Sequence, residues 1–269
     1  EVKFTNVLVK VLELSFLTSV YTFCLYLIFI YIGQPHWPWL DKIEGGFAAI
    51  VGALLIFRTN RAYERWWEAR SLWGTLINVS RNLAIKIKNI IKPSPQEAKK
   101  YAELITQFSQ ALAIHLRNNP SCQSLQAILK TKTLPEHVPA YIANKIYQKV
   151  YQNIPENKEI DKLIIDHEMR ELMNVCGGCE KIKTTFISIS YRMFIKHLIL
   201  FFIIIMPLGL IDNIGLYSIP MVLFTSYIML ALEAIARNLE EPFGSTDDHI
   251  QLCEINAQLK KSIDEIFAL

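Results

Sequence analysis

Residues 14 to 34 (LSFLTSVYTFCLYLIFIYIGQ) carry no charged side chain, and an apolar run of about 20 residues is what one helical crossing of a bilayer requires. Inside lipid the backbone has no water to bond with, so such a run has to be helical. Tyr31, Trp37 and Trp39 stand at its far end, where amphipathic rings settle at the membrane–water boundary. The run is read as a transmembrane helix rather than a secretory leader, because no n-region or small-residue cleavage site is recognised with it.

Three more apolar stretches follow. Gly45 to Phe57 (GGFAAIVGALLIF) is too short to span alone and is rich in Gly and Ala, residues that suit close helix contacts better than lipid. Burial among other helices, around a central axis or in an ordinary hairpin, is the expectation. The helix then runs on past four arginines, Arg58, Arg61, Arg65 and Arg70, which mark this side as cytoplasmic. Leu198 to Ile211 and Asn213 to Leu232 form a hairpin, with Lys196 and His197 before it and Arg237 after it. Positive charge on both outer flanks puts the short connection outside and both chain termini in the cytoplasm.

Between the membrane segments the chain reads as a helical bundle. Leu76, Ile77, Leu83, Ile87 and Ile91 recur at helical spacing, as do Tyr101, Leu104, Ile105, Phe108, Leu112 and Leu116 after a start at Pro95-Gln96-Glu97. Nothing alternates as a long strand does. The fold class expected is an all-α membrane protein with four membrane helical segments and a cytosolic helical domain. The expected divisions are 1–70 (first membrane helix and second apolar helix), 71–196 (cytosolic helical domain), 197–236 (membrane hairpin) and 237–269 (cytosolic C-terminal helix).

Charged residues make up 20% of the chain, too many for a protein lying wholly in lipid, while a net charge of +3 offers no basic surface for nucleic acid. Five scattered cysteines do not form a disulfide framework. Cys176-Gly177-Gly178-Cys179 lacks a second pair or a nearby His pair to complete a zinc site, and is read as close packing around a Gly-Gly turn. The six histidines are far apart and show no metal-ligand spacing. Asp166-His167-Glu168 looks like an acid/base cluster, yet in a polar helix it is read as a solvated face. No nucleotide loop, nucleophile elbow or zincin motif occurs. These readings exclude most enzymes, call for no metal or cofactor, and leave a channel, a transporter or a membrane scaffold.

Three segments carry a resemblance. Phe57-Arg58-Thr59-Asn60-Arg61-Ala62-Tyr63-Glu64-Arg65-Trp66-Trp67-Glu68-Ala69-Arg70, with Leu72-Trp73-Gly74 behind it, resembles the bestrophin family, as do Gly177-Gly178-Cys179-Glu180 and Leu239-Glu240-Glu241-Pro242-Phe243-Gly244. Their order and spacing match over nearly the whole chain.

The resemblance implies a homopentamer in the cell (inner or plasma) membrane, crossing it several times around one axial pore. It implies passage of small monovalent anions such as chloride, with a monovalent cation channel of the same fold as the alternative; a scaffold without conductance stays open beside both. Counting back by four from Phe57 puts Phe57, Ala53 and Ala49 on one helix face, where the family's three pore-neck positions fall. Relatives generally carry Ile or Phe there, so two alanines imply a wider neck, unless they serve close helix packing. Ile160 falls where the family's cytosolic aperture lies, with burial against Leu163 or Ile164 as the other reading. Animal members bind calcium with acidic residues after Pro-Phe-Gly. Here Ser245, Thr246, Asp247, Asp248 and His249 stand there, and no tight calcium site is expected.

Overall fold

A computed structural model of the chain describes residues 6–33, 38–117, 135–155, 157–244 and 249–268. Among these residues every regular element is helical: α1 (Asn6–Ile32), α2 (Pro38–Ile91), α3 (Pro95–Leu116), α4 (Val138–Asn153), α5 (Glu159–Thr184), α6 (Ile189–Ile214), α7 (Ser218–Glu240) and α8 (Leu252–Ala268), with one 3₁₀ turn at Gly215–Tyr217. The chain divides into two compact units, one of Glu1–Trp66 and Phe186–Glu240, the other of Trp67–Thr185 and Glu241–Leu269.

The first unit holds α1, the first part of α2, α6 and α7. Three stretches, Val7–Ile32, Ile43–Ile91 and Ile189–Glu240, are long and apolar enough to cross a membrane. α1 ends where Gly33 adopts φ of +96°, a left-handed conformation that stops a helix at little cost only for glycine. Small hydroxyls knit α1 to α7: Thr18 Oγ1 lies 2.9 Å from Ser226 Oγ, and Ser15 and Thr22 are fully buried. Such polar contacts hold helices together where lipid competes with any apolar contact. α2 packs on α6 through Val51 and Leu55 against Ile195, Ile199, Phe202 and Met206. Glu44 accepts the Gly209 amide at 3.3 Å, and a Cβ at that position would press on the carboxylate and push the flexible Glu44 side chain aside.

The second apolar stretch lies in the N-terminal half of a 54-residue helix, which runs on past the four arginines as the sequence indicates. The helix passes through Gly74 and stops only where Lys92 turns to φ of +51° before Pro93. Proline disfavours helical geometry in the residue before it, which explains the stop.

The second unit packs the rest of α2 with α3, α4, α5 and α8 around Trp73, Leu76, Leu83, Ile87, Tyr101, Phe108, Leu112 and Ile146, all fully buried. α3 opens as the sequence indicates: Ser94 accepts from the Glu97 amide and Glu97 reaches back to the Ser94 amide, a closed capping box. The Gly-Gly pair is not a turn. Gly177 and Gly178 lie inside α5, with Cys176 and Cys179 buried on either side. The close approach is real, however, since a Cβ at Gly178 would meet Leu72 at 3.0 Å. A helix tolerates glycine where a neighbour needs the space. Asp166-His167-Glu168 is only partly a solvated face: Glu168 is 5% exposed and takes the Lys86 ammonium at 2.6 Å.

Candidate pore-lining surfaces

α2 shows two opposite faces within the first unit. Val51, Leu55, Arg58 and Ala62 are buried, whereas Ala49, Ile50, Ala53, Ile56 and Phe57 are exposed, Phe57 at 64%. Ala49, Ala53 and Phe57 therefore share one face that no other helix of this chain covers among the described residues.

What fixes the rotation of α2 is a buried charge cluster next to Phe57. Arg58 is 1% exposed and donates from Nε to Glu240 Oε1 at 3.2 Å, while its Nη1 stands 3.5 Å from Glu233. Each carboxylate has a second cation: Arg237 meets both oxygens of Glu233 at 2.8 and 2.7 Å, and Arg192 lies 3.6 Å from Glu240. Arg65 donates to the Glu240 backbone carbonyl at 2.7 Å. Removing charges from water costs several kcal/mol each unless every one is matched, so the alternation of sign is the condition for the cluster to exist. With Arg58 drawn inward, Phe57 has to point out.

Ile160 sits in the first turn of α5 in the second unit and is 73% exposed. It is not buried against its neighbours, since Leu163 and Ile164 are 68% and 40% exposed. The three make an exposed apolar patch at the head of the helix, and the core side of α5 begins at Ile165. Ser245, Thr246, Asp247 and Asp248, the stretch considered for calcium, lie outside the described residues.

The sequence reading missed two constellations. One is the Arg58 cluster, whose members are separated by up to 182 positions; the signal available was that Arg58 and Glu240 both stand in motif segments. The other is in the second unit, where His115, His137 and Glu180 converge although no local spacing joins them. Burial, ahead of Lys183 and His137, holds His115 below the usual histidine range, against the opposing pull of Glu180. Burial pushes the Cys176 thiol up to about 12, so it stays protonated.

Comparison with known proteins settles the lineage. The profile of the family described as bacterial/fungal bestrophin protein matches residues 5–265. The chain belongs to the bestrophin family. Its relatives include a voltage-dependent anion channel-forming protein of Nostoc sp., 28% identical over 233 residues, 82% of this chain and 75% of the other. Another so named, from Ralstonia nicotianae, is 25% identical over 260 residues, 91% and 84% of the two chains. The fold matches the crystal structure of a bacterial bestrophin homologue from Klebsiella pneumoniae with a TM-score of 0.83 over 97% of this chain and 98% of that one, at 21% identity. Against this bestrophin background the three motif segments acquire a physical meaning. The first meets the third through Arg58 and Glu240, and the second through Leu72 and Gly178 and through Glu68 and Lys181, 3.7 Å apart.

Proposed function

We propose that the chain is one subunit of an anion channel, five copies of which surround a single pore. In this reading α1, α2, α6 and α7 each cross the cell membrane, and both termini lie in the cytoplasm. Ala49, Ala53 and Phe57 line the neck, with Phe57 as its tightest apolar ring, and Ile160 forms the cytosolic aperture. Chloride and similar small monovalent ions are the permeants. One observation carries the proposal: α2 of a protein related to anion channel-forming proteins leaves a row of apolar side chains open at Ala49, Ala53 and Phe57. One such helix encloses nothing, and cyclic symmetry supplies the rest of a wall. Apolar rings of this kind gate ions by excluding water.

Purified protein in planar bilayers under a potassium chloride gradient tests this. A reversal potential near that of chloride supports it; a reversal near potassium's favours the cation channel, and absence of current favours a scaffold. Mass measurement in detergent checks assembly, and monomers or dimers alone contradict five-fold symmetry. Currents that vanish with chelator and return with calcium would contradict the absence of a calcium site. Ala53→Phe places one aromatic ring per subunit at the neck and should cut single-channel conductance; unchanged current in an assembled mutant would move Ala53 to a helix contact.

A further inference from the structure

Glu180 ends the Gly177-Gly178-Cys179-Glu180 segment on α5, His115 lies in the last turn of α3, and His137 is the N-cap of α4. Three helices thus bring three potential ligands to one point. His115 Nε2 and His137 Nε2 lie 2.9 and 2.8 Å from the same oxygen, Glu180 Oε1, and the two rings are 5.0 Å apart. One ligand atom from each residue falls within 4.8 Å of the other two. The side chains are 29%, 40% and 29% exposed, sheltered yet reachable from solvent. Two imidazole nitrogens and one carboxylate oxygen are a donor set for zinc and neighbouring first-row metals, and an unsuitable one for calcium or magnesium, which take oxygen alone.

We propose that His115, His137 and Glu180 bind one zinc-type divalent ion per chain, with water as the fourth ligand. The site is independent of the conduction reading. Zinc bonds of about 2.0–2.1 Å in a tetrahedron hold ligand atoms roughly 3.3 Å apart, so the two close nitrogen–oxygen pairs open by about half an ångström. The ion replaces the proton that His137 Nε2 shares with Glu180. The Lys183 ammonium is held at 2.6 Å by the His115 backbone carbonyl, which ties the end of α3 to α5. One existing contact must yield: His137 Nδ1 accepts the Ala140 amide at 3.1 Å, and a neutral ring bound through Nε2 carries its proton on Nδ1. Bound metal would pin α3, α4 and α5 together at one point.

The test uses the full chain without affinity histidines, stripped by chelator, with Co²⁺ as a spectroscopic probe and Zn²⁺ as competitor. Wild type should show a tetrahedral Co²⁺ spectrum, displaced by Zn²⁺, with one more equivalent bound per chain than His137→Asn, which keeps an N-cap acceptor. His137→Asn and Glu180→Gln should each weaken binding by more than the roughly tenfold to hundredfold that loss of a supporting residue causes. Equal stoichiometry and spectra in wild type and variants, or an octahedral spectrum throughout, would overturn the site. Should a variant fail to fold, X-ray absorption on the zinc-loaded wild type decides: two imidazoles and light-atom oxygen ligands support the proposal, and any other set sinks it.

Discussion

The two units of this chain solve the same packing problem with opposite surfaces. In the second unit the large apolar residues are inside: Trp73, Tyr101 and Phe108 are fully buried. In the first unit many are outside, with Phe16 at 63%, Leu17 at 62%, Phe201 at 55% and Phe224 at 63% exposure, while Arg58, Glu233 and Glu240 are buried. A helix bundle that shows phenylalanine outward and hides charge is stable only where the surroundings are hydrocarbon. Each unit therefore records its own solvent. The second departs from its pattern at Ile160 and Leu163, and the first at the matched charges around Arg58.

The largest effect should come from breaking that charge match. Arg58→Ala leaves two buried carboxylates with one cation each, and removing one partner of a buried pair costs about 3–5 kcal/mol. The partial cover from Arg192 and Arg237 places this variant at the low end. Unfolding in detergent followed by circular dichroism measures it, and an unchanged midpoint would mean that the cluster does not hold α2.

A charge on the lipid side is next. Phe16→Asp in α1 should cost about 2.5–3.5 kcal/mol of insertion if the site lies near mid-bilayer, lowering the membrane-integrated fraction, whereas a water-facing Phe16 would tolerate it. Smaller still is the capping box in the second unit. Ser94→Ala should remove about 1 kcal/mol, seen as a modest fall in the same melting curve, and Ser94→Asp should restore most of it. The smallest thermal effect belongs to Ile160→Ala. An exposed side chain outside any core contact shifts stability by no more than about 0.5 kcal/mol, yet an aperture residue should alter relative permeability among anions of different size. Destabilisation with unaltered permeability would remove Ile160 from the pathway.

The sequence made legible what depends on neighbours along the chain. The uncharged run of α1, the Ser94–Glu97 start of α3 and the amphipathic rhythm of α3 each follow from local spacing, and the bestrophin lineage followed from three short segments. Long-range pairings had no such signal. Arg58 and Glu240 meet across the first unit, and His115 and Glu180 meet across the second, with no period relating their positions. Glu168 read as solvated because its partner Lys86 lies 82 residues away. The Gly-Gly pair misled for the converse reason: local propensity points to a turn, and the cause of the glycine is a Leu72 methyl from another helix.

The two clamps on α2 have a consequence for chain length. Glu44 is tied to Gly209 and Arg58 to Glu240, so both ends of the intervening helix are anchored to fixed points. One residue inserted between them would advance everything after it by about 1.5 Å and swing it through about 100°, carrying Arg58 off its carboxylates and turning Phe57 aside. Substitutions along this stretch are matters of degree. Its length is not: between the clamps the chain behaves like a threaded rod, in which a single extra notch sets every later tooth in the wrong gap.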